Sequence, residues 1–149
     1  MTPLAAQLHV ESRIQTRFGE FSVPAPQVVR FPDGIPGFEM CQRFALIAAD
    51  DLTPLSCLQG LDAPFPSFLT ANPVNLRPDY RPVLSAADRA RLRVEEGDSV
   101  LWLVLLTIDL QQVTANLKAP VAVNASTMLG RQILLEETDF PVAWPIESR

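Results

Sequence analysis

The chain has 149 residues, 48% of them hydrophobic, a length and composition typical of one compact domain with a core of ordinary size. Twelve basic and 17 acidic residues give a formal net charge of −5, which argues against direct contact with nucleic acid because phosphate binding needs clustered basic side chains. Fourteen prolines exceed the usual share of about 5% and argue against a helical bundle, since proline breaks helix interiors.

The N-terminal stretch MTPLAAQLHVESR has no basic region followed by a long apolar segment, so we expect no export signal. No stretch is apolar over the roughly 20 residues that a membrane helix needs, and we expect no membrane contact. The predicted location is the cytoplasm, where Cys41 and Cys57 would be reduced and buried as small hydrophobic side chains. We assign residues 1–12 to a poorly ordered N-terminal extension and residues 13–149 to a single domain.

Short apolar segments separated by turn residues predict an all-β fold. Ile14, Thr16 and Phe18 alternate with polar residues, the period of a half-buried strand, and Gly19 predicts a bulge or tight hairpin. Further strands are predicted at 28–31, 44–48, 55–58 and 65–70. A short helix is predicted from Ser85 to about Arg93, where Ser85 and Asp88 form a weak capping box.

The longest apolar run, Val100–Ile108, predicts a central strand buried on both faces. The segment from Thr114 onward is expected to pair back on it, a further strand begins near 119–120, and the last strand lies at 131–135. With seven to nine strands and one or two short helices, the predicted fold is mainly antiparallel all-β. It would form a small closed or nearly closed β-barrel-like single domain.

The residues do not form a set suited to catalysis or metal binding. His9 is the only histidine and falls in the predicted extension, so a Ser-His-Asp or Cys-His arrangement is improbable. One histidine and two cysteines are too few for an ordinary zinc site, and neither common glycine-rich phosphate loop is present. We therefore predict a protein that is not an enzyme and has no cofactor and no metal.

Four segments, in this order and spacing, resemble the flagellar assembly factor FliW family over about residues 14–146. The combination of Gly-Ile-Pro-Gly-Phe-Glu with Asn-Leu-x-Ala-Pro is the specific part of the resemblance. The four segments are TRFGE at 16–20, FPDGIPGFE at 31–39, LQ at 58–59, and TANLKAP at 114–120 with Asn124 after it.

The resemblance implies a non-enzymatic, β-barrel-like binding protein. It would hold newly made flagellin and, alternatively, the RNA-binding carbon storage regulator CsrA. Export of flagellin would free the protein to bind CsrA and to prevent CsrA from repressing flagellin translation. An acidic surface suits a basic RNA-binding partner. We expect no direct nucleic-acid binding and a monomer when partners are absent, and the alternative function is a small barrel that binds a small ligand or carbohydrate.

The candidate partner-binding residues follow turns, lie in acidic clusters or belong to the family motifs. They are Phe38, Glu39, Glu95, Glu96, Asp98, Asn116, Lys118, Glu136, Glu137 and Trp144.

Each candidate also has a structural explanation. Phe38 could fill the barrel, and Asn116 and Asn124 more often fix loops through hydrogen bonds to the backbone. The acidic clusters could simply keep the protein soluble. The five arginines within residues 77–93 could meet an acidic patch on a partner, although an exposed helix face explains them equally well.

Overall fold

The computed structural model describes residues 11–24, 27–136 and 138–146. These ranges contain eleven β-strands, one 3-10 helix and two short α-helices. The strands are β1 Glu11–Thr16, β2 Gly19–Pro24, β3 Gln27–Arg30, β4 Arg43–Ile47, β5 Ser56–Gly60, β6 Ser67–Ala71, β7 Val100–Ile108, β8 Val113–Ala115, β9 Val121–Asn124, β10 Leu129–Gln132 and β11 Trp144–Ile146. The helices are the 3-10 turn Asp50–Leu52, α1 Pro73–Leu76 and α2 Ala86–Arg91.

Seven strands close into a barrel in the order β7-β6-β5-β4-β3-β10-β9, because β9 pairs with β7 as well as with β10. All of these pairings are antiparallel except that of β3 with β10, which have one pair of facing residues. Strands β8 and β11 extend the sheet beyond β7, and β1 and β2 form a separate hairpin. The predicted closed, mainly antiparallel barrel is confirmed, although the strands outnumber the predicted seven to nine.

Apolar side chains fill the interior of the barrel. Phe31 and Phe44 are fully buried there and meet edge to face, with ring centroids 5.1 Å apart. Their neighbours in this cluster include Leu58, Leu103 and Val121. The barrel is therefore a packed core and has no ligand chamber among these residues, as is usual for barrels of this size.

The β1-β2 hairpin covers the outside of the barrel. Phe21 and Val23 of β2 pack against Ile47 of β4 and Cys57 of β5. The predicted hairpin at Gly19 is confirmed, and this glycine has a φ of 122°, which favours a residue without a side chain. Strand β1 begins two residues before the predicted start of the domain, and residues 1–10 of the predicted extension lie outside the described residues, as does His9.

Strand β7 is the longest strand and differs from the prediction in its burial. Its observed bounds match the prediction, but burial on both faces is confirmed only in the middle of the strand: Leu103 on one face and Val104 and Leu106 on the other are buried, whereas Leu101 and Ile108 are exposed. Side chains are buried only in the middle of the strand because its two ends lie at the openings of the barrel.

Strands β8 and β9 both pair with β7 along the same edge, but in different registers. Thr107 faces Thr114 in β8, whereas Leu103 faces Val121 in β9. Between these two pairings, residues 116–120 form a bulge of five residues opposite only two residues of β7, which is an excess of three. Leu117, the second residue of this bulge, is fully buried outside the barrel.

Helix α2 starts as predicted. The Ser85 side-chain oxygen accepts a hydrogen bond from the Asp88 amide at 3.1 Å, which satisfies one of the free amides at the helix start. Helix α1 and strand β11 were not predicted. Among the described residues, no helix has the length and apolar character needed to cross a membrane.

Candidate functional site

A groove opens where β6 and β7 separate. These strands pair only through Thr70 with Leu105 and Ala71 with Val104. Beyond this point the residues of β7 continue to pair with β8 on the opposite edge, while the first residues of β6 pair only with β5. The resulting β6–β7 groove has a volume of about 790 Å³ and is lined from both strands, from the β1-β2 hairpin and from the loops at 38, 64–66 and 116.

Backbone groups on both sides face into the groove. The Gly60 amide donates to the Pro66 carbonyl, so the backbone of Pro66 faces β5. Because successive residues of a strand direct their backbone groups to opposite edges, those of Ser67 and Leu69 face away from β5. The Asn116 amide donates to the Leu105 carbonyl, so the backbone of Leu106 and Ile108 faces away from β8. The groove therefore has two short strand edges that lie beyond the last β6–β7 pairing.

The floor of the groove is aromatic. Phe38 and Phe68 meet edge to face with ring centroids 5.4 Å apart, and Phe68 lies 6.2 Å from Phe44 in the barrel interior. Phe65 at the rim is 59% exposed. Phe38 is half-buried, so it both packs against the core and contributes surface to the groove.

Hydrogen bonds hold the hairpin tip against the groove. The Ser67 hydroxyl accepts from the Arg17 amide at 3.0 Å and donates to the Gln59 side-chain oxygen. The buried Gln59 amide group donates to the Phe65 carbonyl at 3.1 Å. Within the tip, the Thr16 hydroxyl donates to the Gly19 carbonyl at 2.7 Å. A buried polar residue thus connects the hairpin, the exposed loop and β6.

All four sequence motifs meet at this groove. Residues from TRFGE, FPDGIPGFE, LQ and TANLKAP line it, namely Thr16, Arg17, Phe18, Phe38, Gln59 and Asn116. Of the predicted candidates, only Phe38 and Asn116 lie here. The sequence interpretation missed Gln59, Ser67 and Phe68, although the Phe-x-x-Phe pattern within 65–70 was a usable signal for an aromatic surface.

Asn116 shapes the bulge. Its side-chain oxygen accepts from the Lys118 amide at 3.2 Å and from the Ala119 amide at 3.0 Å, as expected for a loop-forming asparagine. Asn124 is fully buried, donates to the Leu92 carbonyl at 2.9 Å and accepts from the Ser126 amide at 2.9 Å. Both side chains fix local backbone geometry, as predicted.

Glu39 follows the double turn but does not line the groove. Its carboxylate accepts from the Gly37 amide at 3.0 Å, and this hydrogen bond is the main reason that the pKa of Glu39 is lowered. The turn is tight because a side chain on Gly34 would lie 2.5 Å from the Glu39 Cα atom. Glu39 therefore stabilises the turn that presents Phe38.

The acidic turn at 95–98 precedes β7, whereas the groove is lined by the last residues of this strand, which lie roughly 17–26 Å further along it. Glu95 and Glu96 are exposed. Asp98 instead accepts from the Glu95 amide at 2.9 Å and from the Ser126 hydroxyl at 3.0 Å, and the first of these bonds is the largest cause of its lowered pKa. The three acidic residues thus differ in role.

Trp144 begins β11, and Lys118 lies in the bulge between β8 and β9. Trp144 is half-buried, and the Arg77 guanidinium lies 5.0 Å from the centroid of its ring. Lys118 is half-buried, with its ammonium 3.5 Å from the Thr138 carbonyl. Glu136 is exposed, and Glu137 lies outside the described residues. The predicted candidates therefore do not form one site.

Both cysteines are free and buried, as predicted. Burial raises the pKa of the Cys57 thiol to about 11, so the thiol is protonated at neutral pH. The Cys41 sulfur donates to the Ala63 carbonyl at 3.2 Å. Within the described ranges, no three His, Cys, Asp or Glu side chains gather as a metal site.

Comparison with known proteins gives one consistent family. The family model described as FliW protein matches residues 13–146. The flagellar assembly factor FliW of Thermotoga neapolitana is 34% identical over 128 residues, covering 84% of this chain and 86% of the relative. That of Carboxydothermus hydrogenoformans is 36% identical over 131 residues, covering 87% and 84%.

A solved structure has the same fold. The crystal structure of the flagellar assembly factor FliW superposes with a TM-score of 0.80 at 30% sequence identity. The match covers 90% of this chain and 96% of that chain.

Proposed function

The chain belongs to the FliW family of flagellar assembly factors, and on this premise we propose that it is a non-enzymatic cytoplasmic protein that binds flagellin and, alternatively, CsrA. In this scheme, flagellin occupies the protein until it is exported. The freed protein then binds CsrA and relieves the repression of flagellin translation.

The convergence of the four motifs on the β6–β7 groove carries this proposal. The motifs are up to about 100 residues apart in sequence, yet each contributes a residue to the same opening. Aromatic side chains form its floor, and aromatic residues are enriched at the energetic centres of protein interfaces. A binding role at this groove accounts for the motifs without any reaction.

The proposed occupant of the groove is an extended segment of flagellin. The backbone edges at Ser67 and Leu69 and at Leu106 and Ile108 can pair with an added strand, a common mode of peptide recognition. Alternate side chains of such a segment would meet Phe38 and Phe68. Among the described residues that line the groove, Arg17 is the one that carries a charge, which suits a neutral or acidic segment.

The acidic turn is the proposed contact for CsrA. Glu95 and Glu96 are exposed and have no ion-pair partner among the described residues, so they can steer a basic protein toward this end of β7. The groove and the turn are separate surfaces. Binding of one partner would then exclude the other either because the two bound proteins overlap in space or because the two surfaces are energetically coupled.

The test is a competition assay with purified flagellin and purified CsrA. Each partner is expected to form a complex detectable by size exclusion and calorimetry at micromolar concentrations, and excess flagellin should displace CsrA. Absence of binding to both partners would reject the proposal. Simultaneous, independent binding of both would reject the alternating scheme.

Groove variants locate the flagellin site. Phe65→Asn removes an exposed ring but retains a residue suited to the φ of 58° at this position, and Arg17→Gln removes the local charge. Together they should weaken flagellin binding by about tenfold, because truncation of an aromatic contact residue and loss of the local charge both remove binding energy. Val83→Ser is the matched control because Val83 is 76% exposed and does not line the groove. Equal affinities for both variants would exclude the groove as the flagellin site.

The barrel interior bears on the alternative function. A small ligand or carbohydrate would need an open chamber, whereas the interior is filled by buried side chains such as Phe31, Phe44 and Leu58. This packing favours partner binding on the outer surface over ligand binding inside the barrel.

A further inference from the structure

Four arginines converge on one cavity outside the groove. Arg30 ends β3, Arg43 begins β4, Arg91 ends α2, and Arg93 follows two residues later. Together they line an opening of about 570 Å³ whose other walls are Pro32, Gln42 and Leu129. Such a concentration of positive charge is unexpected in a chain with a net charge of −5.

Two features of this arrangement carry a cost in the free protein. Arg30 and Arg43 face each other across the β3–β4 pair, and like charges at directly opposite positions destabilise a sheet. Arg93 has a φ of 55°, although glycine is the usual residue in this conformation after a helix. A glycine at position 93 would adopt this backbone conformation at a lower cost in free energy than the arginine does.

Acidic neighbours neutralise only part of the cluster. The Arg43 guanidinium lies 2.9 Å from the Asp62 carboxylate, and Asp88 lies 3.7 Å from Arg91 and 3.2 Å from Arg131. Arg131 also pairs with Asp33.

Within the described part of the chain, Arg30 and Arg93 make no ion pair. Five arginines against three aspartates leave a net charge of +2. Glu95 and Glu96 follow Arg93 in sequence but do not line the cavity.

The backbone around the cavity is firmly held. The Asn124 side chain donates to the Leu92 and Arg93 carbonyls at 2.9 and 3.2 Å, and the Arg30 amide donates to the Met128 carbonyl at 2.9 Å. The two pairs of arginines thus come from elements that the fold keeps in place. A site held in this way does not have to be assembled on binding.

We propose that this arginine cavity binds an acidic segment of a partner protein, with two carboxylates of the segment taken up by Arg30 and Arg93 and their neighbours. Guanidinium groups bind carboxylates through paired, charge-assisted hydrogen bonds. Leu129 and Pro32 offer an apolar wall for the aliphatic part of the segment. The site is separate from the β6–β7 groove and does not depend on which partner the groove binds.

A short acidic peptide is favoured over nucleic acid by overall charge. A polyanion would be repelled by the remaining acidic surface, whereas two or three carboxylates need only the local excess of positive charge. The cluster is also compact, without the row of basic residues that follows a nucleic-acid backbone.

Calorimetry on the full chain at low ionic strength tests the proposal with a capped tetraglutamate peptide as the probe. The wild-type protein should bind it, and a capped tetraglutamine peptide should not bind. Arg30→Gln combined with Arg93→Gln should weaken binding at least about tenfold, the size expected for lost hydrogen bonds between charged groups. The control is Arg89→Gln, because Arg89 lies on α2 with Arg91 but does not line the cavity; it should change affinity less than about twofold.

Arg93→Gly separates binding from folding. It relieves the unfavourable backbone conformation, so its melting temperature should rise while its affinity for tetraglutamate falls. Three results would overturn the proposal: no binding of tetraglutamate by the wild-type protein, equal affinities of the double variant and the Arg89 control, or retained affinity in Arg93→Gly. Tighter binding of tripolyphosphate than of the peptide would overturn the assignment to an acidic protein segment.

Discussion

The Tyr80 hydroxyl donates a hydrogen bond to the Leu117 carbonyl at 2.6 Å, and both residues are almost completely buried. This contact connects the loop before α2 to the bulge between β8 and β9. The Tyr80 ring also packs on Phe140, with centroids 4.6 Å apart. Three segments distant in sequence are thus joined at one buried point.

Tyr80→Phe should lower the free energy of unfolding by about 1–3 kcal/mol, because the Leu117 carbonyl loses its buried hydroxyl donor while the ring remains. Urea unfolding followed by fluorescence measures the change. An unchanged midpoint would mean that the carbonyl finds another donor in the variant.

Asn116 provides a matched pair of substitutions. Asn116→Ala removes the acceptor for the Lys118 and Ala119 amides and should cost about 1–2 kcal/mol, as for the loss of other backbone caps. Asn116→Asp keeps the acceptor oxygen and should stay close to the wild-type stability. Equal destabilisation by both changes would assign the role of Asn116 to its amide nitrogen instead.

In the acidic turn, we expect Glu95 and Glu96 to contact CsrA and Asp98 to stabilise the fold. Glu95→Lys with Glu96→Lys should leave the melting temperature close to that of the wild-type protein but slow CsrA association and flatten its salt dependence. Flagellin binding should persist. An unchanged association rate, measured by stopped flow at low salt, would remove the turn from the CsrA contact.

Asp98→Asn should instead lower stability, because Asp98 receives bonds from the Glu95 amide and the Ser126 hydroxyl. Its folded-state pKa is lowered, so its contribution is present above the unfolded-state pKa and is lost as pH falls through the folded-state value. The variant should therefore show a weaker loss of stability on acidification than the wild-type protein. Parallel acid-unfolding curves would contradict this assignment.

Cys57 should make stability depend on pH in the alkaline range. The folded-state pKa of about 11 lies above the value of about 8.5 for a free thiol, so the folded state retains the proton over this interval. The resulting stability is fully present below about pH 8.5 and declines as pH rises toward 11. Cys57→Ala should lose stability less steeply over this range, and identical slopes would contradict the prediction.

Local patterns predicted the strands well where turn residues mark their ends. Gly19 between alternating segments gave the β1-β2 hairpin, and the apolar run gave the bounds of β7. Strand β11 was missed because Trp144, Pro145 and Ile146 show no alternation and include a proline. Its pairing with β8 depends on a distant segment and has no local signal.

The site was less predictable than the fold. Phe38 and Asn116 could be selected from motifs, but their meeting with Gln59 and Ser67 depends on where β6 leaves β7. The arginines near residues 89–93 were visible as a cluster, yet Arg30 and Arg43 join them only through the β3–β4 register. Convergence of residues from separate strands is a property of the closed barrel.

The number of residues in the bulge at 116–120 determines which side chains of β9 face the barrel interior. Val121 and Val123 point into the barrel and Ala122 points out, and this alternation is set by the three residues gained between the β8 and β9 registers. Deleting a single residue here would turn β9 over and place its valines on the outer face. Relatives that vary freely in sequence along this segment are therefore expected to keep its residue count, or to change it only in steps of two.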